Sequence, residues 1–445
     1  MSDSQNETNK QTNAPEKKSL GKTRRTFLKG TTAATIAASL PLARVAHAQG
    51  SGTIKVGLIG CGGRGTGAAA QAMNADKGVR LHAMGELFPD RLETSLKNLK
   101  AQKTKEQVDV PQSRKFSGFD SYKQVISECD LVILTTSPHF RPMMVEEAAN
   151  QGKHMFIEKP VATDPVNALK CWESAKKARD KGLAVVSGLC YRYHKQKQEI
   201  MKRIHDGEIG DIVGLHTYYY TTELWHRGTK EEHPEWSEME YQIRNWLYFT
   251  WLSGDHIVEQ HIHSLDKCAW ALQDKTPISA MATGGRVKRT DPKYGNIYDH
   301  FHVKFEYENN LTLQATCRQM NGTTTDIQDY VIGTKGVANL QYHYIKPHDG
   351  GKMWRGRRIK GDNMYQNEHD ELFKSIRAGK PIYNGDYMCT STLMAILGRE
   401  AAYTGKRVKW EELLNSKQDL SPKGGYEFGK NPVEGVRVPG VSKLA

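Results

Sequence analysis

Along this chain of 445 residues, apolar positions gather into short runs separated by amphipathic stretches. Ile54 to Ile59 is a β-branched and aliphatic run of the kind found in parallel strands buried on both faces, and a glycine follows it directly. A second strand is predicted over Val79 to Met84, ending at Glu86, and a third over Leu131 to Thr135. The next stretch predicts a polar loop, a helix over Pro142 to Gln151 closed by Gly152, and a strand over His154 to Ile157 that leads into Glu158-Lys159-Pro160. Strands alternating with helices predict an α/β fold with a doubly wound parallel sheet. Beyond Gly284 the pattern turns to strands between Gly and Asn turns: Arg286 to Lys288, Asp299 to Tyr307, Leu311 to Arg318, Asp329 to Gly333 and Val337 to Tyr342. Helices over His369 to Arg377 and Thr390 to Thr404 follow, and are expected to pack back on the first domain.

The opening of the chain differs in character. Its first twenty residues are polar and without apolar periodicity, and Thr23-Arg24-Arg25-Thr26-Phe27-Leu28-Lys29 then introduces a weakly apolar Ala/Thr run ending near Ala46-His47-Ala48. This reads as a twin-arginine export peptide cut after Ala48, which implies passage through the Tat export machinery to the periplasm or beyond. The run is too short to span a bilayer. Expected boundaries are therefore 1–48 for the start and signal, 49–187 for the cofactor domain and 188–445 for the second domain.

Charge and cysteines alter this picture little. The first 49 residues hold eight Lys or Arg and three Asp or Glu, leaving +8 of the formal +13 on the remainder. No basic run with interleaved aromatics and no zinc-finger or helix-turn-helix spacing accompanies that charge, so nucleic acid is not an expected partner. Seven scattered cysteines without C-x-x-C do not form a disulfide framework.

The first apolar run leads into Gly60-Cys61-Gly62-Gly63-Arg64-Gly65, a G-x-G-x-x-G. Gly60 permits a tight turn, Gly62 lets the backbone approach a pyrophosphate, and Gly65 lets the following helix pack closely with its N-terminus toward the anion. Glu86 ends the second strand twenty-one residues after Gly65, where a carboxylate accepts hydrogen bonds from ribose hydroxyls and repels a 2′-phosphate. NAD is therefore expected over NADP.

The fingerprint after the first strand, the acidic end of the second and the E-K-P after a G-K-H strand together resemble the glucose-fructose oxidoreductase, inositol dehydrogenase and rhizopine-catabolism (Gfo/Idh/MocA) family. The resemblance implies an N-terminal Rossmann domain and a C-terminal α/β domain with an open, mainly antiparallel sheet. It further implies a homo-oligomer, a dimer or tetramer, and a sugar, glycoside or cyclitol as substrate. It places Lys159 beside the nicotinamide, with Gly60, Gly62, Gly63, Arg64, Gly65, Glu86, Thr136, Pro138 and Glu158 as further cofactor contacts. Gly188 to Tyr193, GLCYRY, is similar to the family's Gly-aromatic-x-x-Arg segment and makes Arg192 a substrate-side candidate.

A histidine-rich stretch, WLSGDHIVEQHIHSLDKCAW at 251–270, matches the family's Asp-x-x-x-His-x-x-Asp with Glu259 in place of the first Asp, so His263 takes the catalytic position. On one continuous helix His256, Glu259, His263 and Asp266 would lie within about 80° of each other, with His261 nearly opposite. Zinc is the competing reading of that face, but the seven-residue gap between His256 and His263 does not suit a helical histidine pair, and no metal is expected. Oxidising a secondary alcohol requires a base at the hydroxyl proton. Histidine titrates near neutrality and lysine near 10.4 in water, which favours His263 as acceptor and Lys159 as the donor steadying the oxygen, with Glu259 on a neighbouring hydroxyl. The reverse assignment of Lys159 and His263 stays open at this level.

Two departures from the family pattern stand out. Thr136-Ser137-Pro138-His139-Phe140-Arg141 carries Arg141 where a histidine is usual. An aromatic segment, YYYTTELWHRG at 218–228, is followed by Trp236, Tyr241, Trp246, Tyr248 and Trp251, from which Tyr220 and Trp225, with His256, are candidate sugar contacts. The leading expectation is an exported NAD-dependent oxidoreductase of sugars. An NAD-dependent glycosidase working through transient oxidation, of the α-N-acetylgalactosaminidase type, and a non-catalytic sugar-binding protein are the alternatives; the E-K-P lysine, usually missing from the glycosidases, argues for the first.

Overall fold

The computed structural model describes residues 52–444. The twin-arginine motif and Ala46-His47-Ala48 lie outside them. The described residues form an α/β fold built on two sheets. The first has six parallel strands: β1 (Ile54–Ile59), β2 (Val79–Glu86), β3 (Lys115–Ser117), β4 (Leu131–Leu134), β5 (His154–Ile157) and β6 (Val185–Ser187), in the order β3-β2-β1-β4-β5-β6. Chain order reverses between β1 and β4, and such a switch point opens a crevice at the carboxyl ends of the strands. Every residue of β4 is buried, in keeping with its unbroken apolar run.

The second sheet has nine strands and is antiparallel apart from the β7–β10 pair. Its strands are β7 (Ile212–Thr221), β8 (Ser279–Gly285), β9 (His300–Glu306), β10 (Thr312–Gln319), β11 (Asp326–Gly333), β12 (Gly336–Asn339), β13 (Tyr344–Pro347), β14 (Trp354–Arg355) and β15 (Val408–Lys409). Alternation in β10, where Leu313, Ala315 and Cys317 are buried and their neighbours are not, shows which face meets the helices Ile262–Ala271 and Gly385–Thr404. The helix Met364–Arg377 packs on Gly63–Ala75, the helix that follows the glycine fingerprint. Among the described residues no helix is long and apolar enough to cross a membrane.

Two local expectations change. Residues 286–288 are not a strand: the backbone N–H groups of Val287, Lys288 and Arg289 all donate to Asp299 Oδ2, which bends the chain out of the sheet just after β8 ends at Gly285. The histidine-rich stretch is not one helix. Asp255, at φ +76°, caps a short helix His256–Glu259, Gln260 and His261 interrupt the run, and a second helix begins at Ile262.

Candidate functional site

A cavity of about 530 Å³ lies at the carboxyl ends of the parallel strands and is walled on its other side by residues of the second half of the chain. The glycine fingerprint forms its floor. Gly60 sits at φ +92°, and a Cβ there would come within 2.7 Å of the Thr135 and Thr136 backbone; a Cβ on Gly65 would overlap the Gly60 carbonyl oxygen. Gly62 and Gly63, by contrast, face open space at the start of the helix Gly63–Ala75, where unpaired N–H groups and the helix dipole favour an anion. Glu86 ends β2 at the adjoining wall, its carboxylate accepting from Cys61 N at 2.6 Å and Leu87 N at 2.8 Å.

At the other end Lys159, Glu259 and His263 converge. Lys159 Nζ donates to Glu259 Oε1 at 2.8 Å and to the Glu259 carbonyl at 2.6 Å, a pair with only 14% and 13% of the two side chains exposed. The break at Gln260 does not separate Glu259 from His263, and both line the cavity. His263 lies edge-on to Tyr191 at 5.1 Å. Burial pushes its pKa well below 6.5, and the nearby Lys159, Lys267 and Arg64 push it the same way, so its ring is neutral at physiological pH.

Behind this end lies an ion-pair hub that the fingerprint alone does not reveal. Arg64 lines the cavity, but its guanidinium binds Glu158, Gln71 and Glu368, the last at 2.5 Å, and Glu368 is wholly buried. Burial works to raise the Glu158 pKa, yet Arg64, Arg141 and Lys159 outweigh it and hold the carboxyl below its usual range. A Cβ on Gly188 would come within 2.8 Å of the Glu158 carboxylate, which accounts for the glycine that opens GLCYRY. Arg141, also in the cavity wall and 4% exposed, donates to the carbonyls of Pro160 and Thr136, tying together the loops after β4 and β5.

The remaining sequence candidates divide. Thr136 and Trp225 line the cavity, whereas Pro138 is buried in the short turn behind Ser137, which takes the lining position. Arg192 points away into a buried anchor, bound to Asp266 at 2.8 Å and Asp274 at 2.5 Å and lying over the Tyr387 ring at 3.9 Å. Asp266 is thus occupied too. Tyr220 stands on the opposite face of β7 from the buried positions Leu215 and Thr217 and packs against Arg318. Its neighbour Tyr219 turns instead toward His256 and His261. His256 is buried below Tyr219 and outside the cavity lining. Tyr365, Arg91 and Arg227 line the cavity without having been singled out by their sequence context.

Residues 54–186 match the family model described as "Oxidoreductase family, NAD-binding Rossmann fold", and residues 198–339 match that of the GFO/IDH/MocA C-terminal domain. Together these cover well over half of the chain. The chain belongs to the Gfo/Idh/MocA oxidoreductase family. It is 29% identical over 213 residues to 2,7-anhydro-N-acetylneuraminate hydratase of Escherichia coli K12, a match spanning 47% of this chain and 51% of that protein. It is 24% identical over 288 residues to inositol 2-dehydrogenase 3 of Saccharopolyspora erythraea, covering 65% of this chain and 73% of the other. The chain thus spans about half the length of the first of these relatives. The crystal structure of aldose-aldose oxidoreductase from Caulobacter crescentus shares the fold at a TM-score of 0.63 and 19% identity, over 80% of this chain and 99% of that one.

Gfo/Idh/MocA proteins of this class bind NAD in the Rossmann domain, and the residues present fit it: open space over Gly62 and Gly63, a helix N-terminus beneath, and a carboxylate at the end of β2. Gly60, Gly62, Gly63, Gly65 and Glu86 would hold the adenosine diphosphate half. Arg91 lines the same end and would attract a 2′-phosphate, so cofactor choice is a contest between it and Glu86. NAD is expected to bind NAD-depleted protein at least about tenfold more tightly than NADP, and Glu86→Ser to narrow that gap. Titration of both dinucleotides by protein fluorescence checks this; equal affinities in the unmutated protein would remove Glu86 from cofactor selection.

Proposed function

We propose that the protein is an exported oxidoreductase that keeps NAD bound and exchanges hydride with a secondary hydroxyl of a sugar, glycoside or cyclitol. The convergence of Lys159, Glu259 and His263 at one end of a cavity whose other end is a glycine-rich helix N-terminus carries the reading. NAD, when bound, supplies the hydride acceptor. The chain's residues supply the rest. Lys159, held in place by Glu259, hydrogen-bonds the substrate oxygen and steadies the charge that develops on it, while neutral His263 takes the hydroxyl proton. Glu259 can accept from a neighbouring hydroxyl with its second oxygen. Trp225 and Trp246, whose rings meet at 6.0 Å in the cavity wall, offer an apolar surface. Export rests on Arg24-Arg25 and the small-residue pattern at Ala46-His47-Ala48. Adding pyranoses, glycosides and cyclitols in turn to the purified protein and following nicotinamide absorbance tests the activity; no response to any of them would reject it.

The pH dependence follows from the neutral histidine. Protonated His263 cannot accept a proton, so activity is lost as pH falls through its pKa, and burial has moved that pKa well below 6.5. We expect kcat/KM for oxidation to stay level through pH 6.5 and to decline only at lower pH. An acid limb centred near 6.5–7, the ordinary histidine range, would point to another base.

A second reading draws on the hydratase relative. The same transient oxidation at one carbon acidifies its neighbour, and addition or loss of water there followed by return of hydride gives no net redox change. Substrate that changes mass by one water without accumulation of reduced nicotinamide would select it.

A further inference from the structure

The cavity wall contains four arginines, and two of them are spent on the protein itself: Arg64 on Glu158 and Glu368, Arg141 on two backbone carbonyls. Lys159 is likewise taken by Glu259. Arg91 and Arg227 remain, and among the described residues neither side chain forms an ion pair or a hydrogen bond; each only lies over an aromatic ring, Arg91 over Phe88 at 5.2 Å and Arg227 over Trp225 at 4.4 Å. A dinucleotide brings two phosphate charges into this space. The helix N-terminus opposes them with only about half a unit charge, so guanidinium groups left unpaired in the same wall are the natural complement.

Arg227 does not belong to the Rossmann domain. It lies in the segment after β7, its backbone N–H donating to Asn245 Oδ1 at 2.8 Å, next to the helix Glu238–Arg244 and Trp246. Trp225, Ile243 and Trp246 from this segment line the cavity beside it. The C-terminal tail then joins this segment to the Rossmann wall. Tyr426 stacks on Phe119 at 6.2 Å, packs against Phe140 at 5.4 Å and hydrogen-bonds His139 Nε2 at 2.8 Å. A few residues on, the Gly429 carbonyl accepts from Met239 N at 3.1 Å, Asn431 N donates to Glu238 Oε2 at 2.8 Å, and Asn431 Nδ2 donates to Gln242 Oε1 at 3.0 Å. Phe119 and Phe140 line the cavity from one side and the helix bearing Ile243 closes it from the other, so one short stretch of tail holds both walls.

We infer that the segment from Trp225 to Trp246, fastened to the Rossmann wall by Tyr426 and Asn431 of the tail, is a clasp that retains the cofactor, with Arg227 as its contact to the anionic diphosphate. This rests on the NAD-retaining reading and names the parts that perform it. Arg244 of the segment also lies over the Phe88 ring at 3.9 Å, so parting the walls breaks that contact together with the tail's hydrogen bonds and its aromatic contact.

The test loads the full chain with isotope-labelled NAD, chases with excess unlabelled NAD, and follows retained label. The unmutated protein should hold label for hours, and the double variant Tyr426→Ala, Asn431→Ala should lose it at least tenfold faster. Arg227→Gln, a change at an exposed side chain that spares folding, should raise the NAD dissociation constant about tenfold and flatten its dependence on ionic strength, with Arg227→Lys recovering part of both. A double variant that folds and keeps label as long as the unmutated protein overturns the clasp while leaving retention intact. Loss of label within seconds from the unmutated protein overturns retention itself and the clasp with it. Unchanged NAD affinity and salt dependence in Arg227→Gln overturn its role as the anion contact.

Discussion

His263→Ala and Lys159→Ala are each expected to lower turnover of a sugar substrate by roughly a hundredfold or more, with the protein folded and NAD still bound. The two losses have different origins. His263 is a neutral ring whose charged form is disfavoured by burial and by the cations around it, so in the resting site it is a lone-pair acceptor and not a charge; alanine removes the one imidazole that, among the described residues, lines the cavity. Lys159 is held in place by both the carboxylate and the carbonyl of Glu259, and a group so fixed stabilises developing charge without reorganising at the moment of reaction. Lys159→Ala should therefore leave a shallow residual rate that no longer responds to Glu259→Gln, because the partner's task disappears with the lysine. His263→Ala should remove the acid limb of the pH profile altogether. Near-normal rates in either variant, measured in single turnover on NAD-loaded protein, would take that residue out of the reaction.

The largest stability effect is expected at Arg64. Glu158 and Glu368 are 6% and 0% exposed at the side chain and share its guanidinium, so Arg64→Ala leaves two buried carboxyl groups with their common cation gone. Breaking such a buried pair from one side costs about 3–5 kcal/mol, and the partial exposure of Arg64 itself, 30% at the side chain, places the cost toward the lower figure. In a protein of this size that corresponds to a fall in Tm of roughly 4 °C. Loss of NAD should accompany it, since Glu158 and Lys159 belong to one loop and Glu368 sits one turn beyond Tyr365 in the cavity wall. Adding Glu368→Leu should return part of the stability, because burial already drives the Glu368 pKa up and the change removes a buried carboxyl group left without its partner. Calorimetry of the three proteins checks this, and an Arg64→Ala protein melting within a degree or two of the unmutated one would show that the hub carries no net stability.

What could be read from the residues alone follows from where each constraint originates. Gly60 and Gly65 were legible because a tight turn and a close helix approach exclude a Cβ by local geometry, and Glu86 because strand length fixes where the next carboxylate falls. The parallel strand β4 announced itself as an unbroken apolar run. The side of a strand is a finer matter: with a period of two residues, a single step decides between Tyr219, which turns to the histidines, and Tyr220, which turns away. Helical periodicity across 256–266 presumed an unbroken helix, whereas the buried Asp255 carboxylate, accepting from His256 N at 2.5 Å, Tyr298 N at 2.7 Å and Tyr403 Oη at 2.5 Å, fixes the start of a short helix, and that helix ends before Gln260. Arg192 resembled a substrate contact by motif, but Asp266 and Asp274, distant in sequence, claim it. Arg227 comes to the cavity, and Glu368 and Tyr426 to the residues that wall it, through long-range packing, and none of the three has a local signature that would mark it.

Hydride exchange between a sugar carbon and the bound nicotinamide, at the end of the cavity where Lys159, Glu259 and His263 meet, is the centre of this account. Its most direct measurement uses a responding sugar carrying deuterium at the carbon oxidised. The protein, supplied with no free NAD, is reacted once and denatured, and the released nicotinamide is weighed by mass spectrometry. One deuterium per reduced nicotinamide, near-stoichiometric with protein and lost in His263→Ala, is the result predicted. Protein that yields no nicotinamide, or nicotinamide that is reduced without gaining deuterium, would contradict it.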